Sequence, residues 1–253
     1  MSELTFYHWL VIAWMAVAVC TFVALFFITA PYGRFTRKGW GPQMNPRWGW
    51  ILMETPVLIG MLVLYGISDR KANPVYIVLI LFWVAHYVHR ALIYPFRLRP
   101  NRPSINVGVI AMGATFNIGN AYLNGRYLFS LGPVLHSSWF LDPRFIIGAI
   151  LFWCGYGLNQ WADQKLINLR NNGGDGYKIP YGGPYRFISC PNYLGEMIEW
   201  GGWALACWNL GALAFLVWTV ANLAPRAFRT HRWYREKFPD YPPRRKALLP
   251  FIV

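Results

Sequence analysis

Apolar residues gather in blocks at about 6–30, 48–68, 74–96, 105–130, 143–168, 194–208 and 210–224. Most reach the roughly 20 residues that a helix needs to cross a bilayer. The last two are shorter, and the Trp208-Asn209 junction between them predicts a tight helical hairpin. The blocks therefore predict an all-α integral membrane protein with seven transmembrane helices. Its first block lacks a basic leader and is long enough to span, so it reads as a helix and not as a cleaved signal.

Basic residues give the expected orientation. With the N-terminus outside, the inner segments hold Arg34, Arg37, Lys38 and Arg47, then Arg97, Arg99 and Arg102. They also hold Lys165, Arg170, Lys178, Arg186 and the basic residues from Arg226 to Lys246, whereas the outer segments hold only Arg70, Lys71, Arg126 and Arg144. This bias fits an N-outside, C-cytoplasmic chain with an odd number of spans.

Composition agrees: 56% of the 253 residues are hydrophobic and 13% charged, with 14 Trp, 15 Tyr and 17 Phe. That is about half the charge of a soluble domain. A net charge of +14 would suit nucleic acid, but the cations lie between apolar blocks. They read as membrane topology and anionic-ligand binding, and no nucleic-acid partner is expected. Cys20, Cys154, Cys190 and Cys207 form no CxxC pair, so no disulfide framework or zinc site is indicated.

Two linkers stand out. Asn171-Asn172-Gly173-Gly174-Asp175-Gly176 is turn-rich and is followed by Tyr177-Lys178-Ile179-Pro180 and Gly182-Gly183. A glycine-rich loop allows close backbone approach to a phosphate, and equally makes a plain connector. GxGxxG and GxxxxGK[ST] are both absent, so a nucleotide needs some other cradle.

The remaining signal is polarity where lipid-facing sequence should have none. Asn192, Glu196 and Glu199 stand at i, i+4, i+7 and share a helix face. Burying such carboxylates is costly unless they are paired or line a wet cavity. Glu54 is the only carboxylate of its block, and isolation there predicts a protonated, hydrogen-bond-donating acid or a partner on another helix. His86-Tyr87-Val88-His89-Arg90 and Tyr94 place Tyr87, Arg90 and Tyr94 on one face of a regular helix. A phenol with a neighbouring acid or cation is a candidate proton donor, whereas the bare HxxH is a weak metal signal and no metal is expected. Asn159, Asp163 and Arg170 line one helix side, either as a pocket wall or as a local ion pair. Asn117 and Asn120 read as interhelical glue. Arg226, His231, Arg232 and Tyr234 offer cations and a ring in the tail, for a ligand or for anionic lipid. Together these describe an intramembrane pocket for an apolar substrate, open to an anionic cofactor, with no nucleophile–base pair for hydrolysis.

Four separated blocks carry a family likeness: His86–Arg90, Tyr177–Pro180 with Gly182-Gly183, Asn192–Trp200, and Arg226-Ala227-Phe228 through Asp240-Tyr241-Pro242 to Arg245–Ile252. On these the chain resembles the steroid 5α-reductase family, close to its human type 2 member, over nearly its whole length. The resemblance implies NADPH-dependent reduction of the Δ4 double bond of a 3-oxo-steroid. It implies that Glu54 and Tyr87 hydrogen-bond the C3 carbonyl, and that Asn159, Asp163, Arg170, Tyr177, Asn192, Glu196, Arg226 and Tyr234 surround the dinucleotide. It further implies a single domain over 1–253, with about 1–96 contributing the substrate site and about 105–253 the NADPH site. Arg229-Thr230-His231 departs from the three histidines of the human type 2 chain, so the middle histidine's role does not carry over to Thr230. The 97–103 loop differs in spacing, which leaves a phosphate-binding arginine there unassigned. A bacterial homologue is the expectation, with inner membrane and endoplasmic reticulum both open. Partners are then a steroid and membrane lipid, with no obligate protein partner. The alternatives are a methyltransferase resembling the isoprenylcysteine carboxyl methyltransferases and a non-catalytic sterol- or lipid-binding membrane protein.

Overall fold

The structure, a computed structural model, describes residues 1–31, 33–98, 104–171 and 177–252. In chain order its elements are α1 (Glu3–Phe27), β1 (Gln43–Met44), α2 (Pro46–Gly66), α3 (Pro74–Tyr87), the single turn α4 (Tyr94–Arg97), β2 (Ile105–Asn106), α5 (Val107–Ala121), α6 (Pro143–Asn171), α7 (Pro191–Cys207) and α8 (Leu210–Lys237). A π-helical segment, Val88–Ile93, joins α3 to α4, and another, Tyr122–Leu131, continues α5.

Local chemistry starts these helices. Asn45, Asn73 and Asp142 each precede a proline at the first helical position. Their side-chain oxygens accept from Arg47 N (3.0 Å), Val75 N (2.9 Å) and Arg144 N (2.9 Å). The proline presets φ and the cap satisfies a free amide. Between α7 and α8 the predicted hairpin forms: Trp208 adopts a left-handed conformation (φ 47°), and Asn209 Oδ1 accepts from Ala212 N at 2.9 Å.

Each apolar block falls on helix. Among the described residues, four stretches are long and apolar enough to cross a membrane: Glu3–Phe27, Pro46–Gly66, Pro74–Arg97 and Leu210–Lys237. Three details differ from expectation. The 105–130 block is not one regular helix, because beyond Ala121 it widens; Gly132 N donates to Tyr127 O, five residues back. The last block does not stop at 224: α8 runs through Pro225 to Lys237, because Ala227, Thr230 and Tyr234 continue its buried face. The third is the π turn before Pro95, a residue that lacks an amide and crowds the carbonyl four residues earlier.

Helix packing is closest between antiparallel α6 and α7. Gly148 and Gly155 on α6 meet Gly202 and Gly195 on α7, each facing the partner's backbone. A Cβ on Gly195 would lie 2.6 Å from Asn159 N, and one on Gly148 would lie 2.6 Å from Ala206 N. Small residues permit this approach, as in other membrane helix pairs. The core beside it is aromatic: Trp83 contacts Trp200, Trp203 and Phe215 at ring separations of 5.4, 5.1 and 5.6 Å. α1 lies outside, tied by Trp218 Nε1 to Trp14 O (3.0 Å) and Tyr7 OH to Leu123 O (2.7 Å). The linkers before α2 and α5 pair through the two-residue antiparallel ladder of β1 and β2.

Candidate active site

Glu54 sits one turn after Trp50 on α2, where the helix is locally disturbed. Pro56 cannot donate to the carbonyl of Leu52, and Thr55 Oγ1 turns back to Ile51 O at 2.6 Å. Glu54 is not the isolated acid of its sequence block. Arg90 Nε lies 3.7 Å from its Oε1, and Asn117 Nδ2 on α5 donates to Oε2 at 3.3 Å and to Met53 O at 2.7 Å. Asn117 thus acts as interhelical glue and also holds the acid.

Arg90 is fixed by the π turn. Its guanidinium lies over the Trp50 ring at 4.8 Å and the Tyr94 ring at 5.6 Å, and its carbonyl accepts from Trp50 Nε1 at 3.0 Å. The widened turn alters the regular i, i+3, i+7 face on which Tyr87, Arg90 and Tyr94 were expected. Arg90 nevertheless reaches across to Glu54 on α2. Tyr87 is buried, its ring 5.0 Å from Trp83 and 5.9 Å from Trp200. Among the described residues its hydroxyl has no hydrogen-bond partner.

The histidines of the HxxH diverge. His86 Nδ1 meets Glu199 Oε1 at 2.7 Å, while His89 Nε2 meets Arg97 Nη1 at 2.6 Å. No metal-binding cluster of His, Cys, Asp and Glu occurs among the described residues. Glu199, one of the carboxylates expected to need a partner or a wet cavity, is paired with His86 of α3.

The glycine seam brings the amides and acids of α6 and α7 together. Asn159 Nδ2 donates to Asn192 O at 3.0 Å and reaches Glu196 Oε2 at 3.5 Å, and Asn192 Nδ2 donates to Asp163 Oδ1 at 2.9 Å. Farther along, Arg170 lies over the Tyr177 ring at 5.3 Å, and Tyr177 packs edge-on against Trp233 at 5.0 Å. Arg226 Nε donates to Tyr193 OH at 2.9 Å and lies over Phe35 at 5.8 Å. Tyr234 is enclosed at 2% exposure, stacked 5.3 Å from Tyr241. His231 Nδ1 lies 2.6 Å from Ser189 Oγ, and Arg232 belongs to the same helix, α8. The glycine-rich 172–176 and the arginines at 99 and 102 lie outside the described residues.

Sequence reading missed two features: the Trp50–Arg90 contact that orders Glu54, and the glycine seam. The seam had a signal, since Gly148/Gly155 and Gly195/Gly202 are each seven residues apart.

Residues 103–253 match the family model described as 3-oxo-5-alpha-steroid 4-dehydrogenase. The chain is 39% identical to steroid 5-alpha-reductase DET2 of Gossypium hirsutum, covering 99% of both chains. It is 38% identical to 3-oxo-5-alpha-steroid 4-dehydrogenase 1 of Bos taurus, covering 94% of this chain and 93% of that one. Against the Homo sapiens protein of the same name it is 39% identical, over 87% and 85%.

Proposed function

The chain belongs to the 3-oxo-5α-steroid 4-dehydrogenase family of membrane oxidoreductases acting on a CH–CH group, and we propose that it reduces the Δ4 double bond of 3-oxo-Δ4-steroids with NADPH. Membership sets aside the methyltransferase and non-catalytic readings. The observation that carries the proposal is the polar cluster inside the bundle, with Glu54 of α2 held by Arg90 and Asn117, and Asn159, Asp163, Asn192 and Glu196 joined across the α6–α7 seam.

The residues present fit a nicotinamide dinucleotide. Asn159, Asn192, Glu196 and Asp163 offer the paired donors and acceptors that a carboxamide and ribose require. Arg170 and Arg226 supply charge for phosphates, with Tyr177 beside the first and Tyr234 in the supporting aromatic cluster. When bound, NADPH would supply the hydride that reaches C5, and a solvent-derived proton taken up at C4 of the resulting enolate would complete the reduction. The protein's own work is at the C3 oxygen. Tyr87 donates to it, and Glu54, oriented by Arg90 and Asn117, is the second residue at that oxygen. Drawing charge onto that oxygen makes C5 electrophilic through the conjugated bond. Donors aimed at a developing oxyanion contribute about 2.7–4 kcal/mol each in comparable sites. The tryptophans around Tyr87 keep the site dry, which strengthens those bonds.

In this reading α2 and α3 furnish the substrate side and α6 to α8 the cofactor side of one domain. Seven helices cross the membrane, with the N-terminus outside and the basic C-terminus cytoplasmic. The test is to supply detergent-purified protein with testosterone or progesterone and NADPH. The 5α-dihydro product is expected; its absence, where a known relative works in parallel, refutes the proposal.

A further inference from the structure

The aromatic core contains a hydrogen-bonded His–Glu unit that the proposed chemistry does not use. Glu199 is 0% and His86 4% exposed, they meet at 2.7 Å, and the second carboxyl oxygen of Glu199 is buried with no partner among the described residues. Replacing both partners of such a buried contact by well-packed apolar groups can be nearly neutral, so the pair is a weak stabiliser. What it does supply is one fixed arrangement of the helices that carry it.

Its neighbours show what that arrangement fixes. His86 precedes Tyr87 on α3, and Glu199 precedes Trp200 on α7. The His86 ring meets Tyr87 edge-on at 4.8 Å and Trp200 at 4.6 Å, so the phenol is held between the imidazole, Trp83 and Trp200. Glu199 cannot retreat, because its backbone amide lies against Gly155 of α6, where even a Cβ would collide. Three residues earlier on α7 stands Glu196, beside Asn159.

We infer that the His86–Glu199 pair is the positioning unit for Tyr87, setting the register between the phenol on α3 and the cofactor-facing residues on α7. It touches neither substrate nor cofactor and acts through the Tyr87 ring. The role rests on Tyr87 being the substrate donor, as proposed above.

The test compares Glu199→Gln, which keeps an acceptor for His86, with Glu199→Leu and with the double variant His86→Phe/Glu199→Leu, whose apolar side chains leave no unpaired group to unfold the core. Steroid turnover and the NADPH Kd are measured on detergent-purified full-length protein. 19F NMR of 3-fluorotyrosine incorporated at position 87 reports the ring directly. The Gln variant is expected to keep kcat within about threefold and a single fluorine line. The double variant is expected to fold, bind NADPH with Kd within about twofold, lose about tenfold or more in kcat, and show a broadened or doubled line. A double variant with native kcat and an unchanged line overturns the positioning role. If the natural protein forms no 5α-reduced product, the reductase reading fails separately, and the fluorine line alone still decides whether the pair positions Tyr87.

Discussion

Replacing Tyr87 by Phe removes a hydroxyl that has no protein partner among the described residues, while the ring contacts to Trp83, His86 and Trp200 remain. The fold therefore loses little, and under the proposed mechanism the cost falls on the transition state. Tyr87→Phe is expected to lower kcat by about 10²–10³, the effect of losing one oxyanion donor, with NADPH binding nearly intact. Arg170→Ala is expected to do the reverse, weakening NADPH binding first because it removes the cation over Tyr177. Steady-state kinetics and a fluorescence titration with NADPH separate the two, and changes in protein yield alone would recast both residues as structural. At this scale the odd residues were legible, since a carboxylate or amide inside an apolar block announces itself. Their partners were not. Glu54 meets Arg90 from another helix, and His86 meets Glu199 across 113 residues of chain; helical spacing relates only neighbours on one helix.

Among elements, the α6–α7 pair makes the sharpest demand on sequence. A methyl group on Gly155 would collide with the Glu199 amide and lie against the Gly195 carbonyl. Gly155→Ala must push the helices apart, loosening the Asn159–Asn192 and Asn192–Asp163 hydrogen bonds together. Overpacking of this kind costs about 1–3 kcal/mol, and a lower Tm with a weaker NADPH Kd is expected. Gly157 is the control, two residues along the same helix with nothing within 4 Å of its Cβ position. Gly157→Ala should leave both measurements level or raise Tm slightly, since Ala is favoured over Gly in a helix by about 1 kcal/mol. Equal losses in both variants would mean that helix propensity, not close approach, governs the pair. The asparagine–proline and aspartate–proline starts were readable as local chemistry. The end of α8 was not, because hydropathy stops at 224 while the buried face continues through Ala227, Thr230 and Tyr234. The π-helical continuation of α5 was not readable either, since no proline marks it; there Gly125 meets Met61 and Leu64.

For the whole molecule, the two ends of the bundle are held by different means. At one end lies the proposed site. At the other, the connection from α2 to α3 closes on the π-helical end of the α5 segment through Arg70 and Ser68. Arg70 Nη1 donates to Leu128 O at 3.1 Å, and Nη2 donates to Ser130 O and Gly132 O at 2.7 Å each. Ser68 Oγ adds a bond to Phe129 O at 2.5 Å, and the Arg70 guanidinium lies 5.8 Å from the Tyr76 ring. These carbonyls belong to a widened helix end with few internal partners, and charged donors contribute about 1.5–3 kcal/mol each where they satisfy such groups. Glu54 is twelve residues before the end of α2, or about 18 Å at the helical rise. Arg70→Ala should therefore destabilise without touching the site. A Tm lowered by several degrees is expected, while the added stability from saturating NADPH, which depends only on Kd and ligand concentration, stays unchanged. Thermal melts across a series of NADPH concentrations read both quantities at once. A variant that loses the NADPH response along with its Tm would show that the far clamp and the cofactor side move as one cooperative body. A preserved response would show that the bundle's ends are stabilised independently, and that the polar groups around Arg90 hold their own geometry.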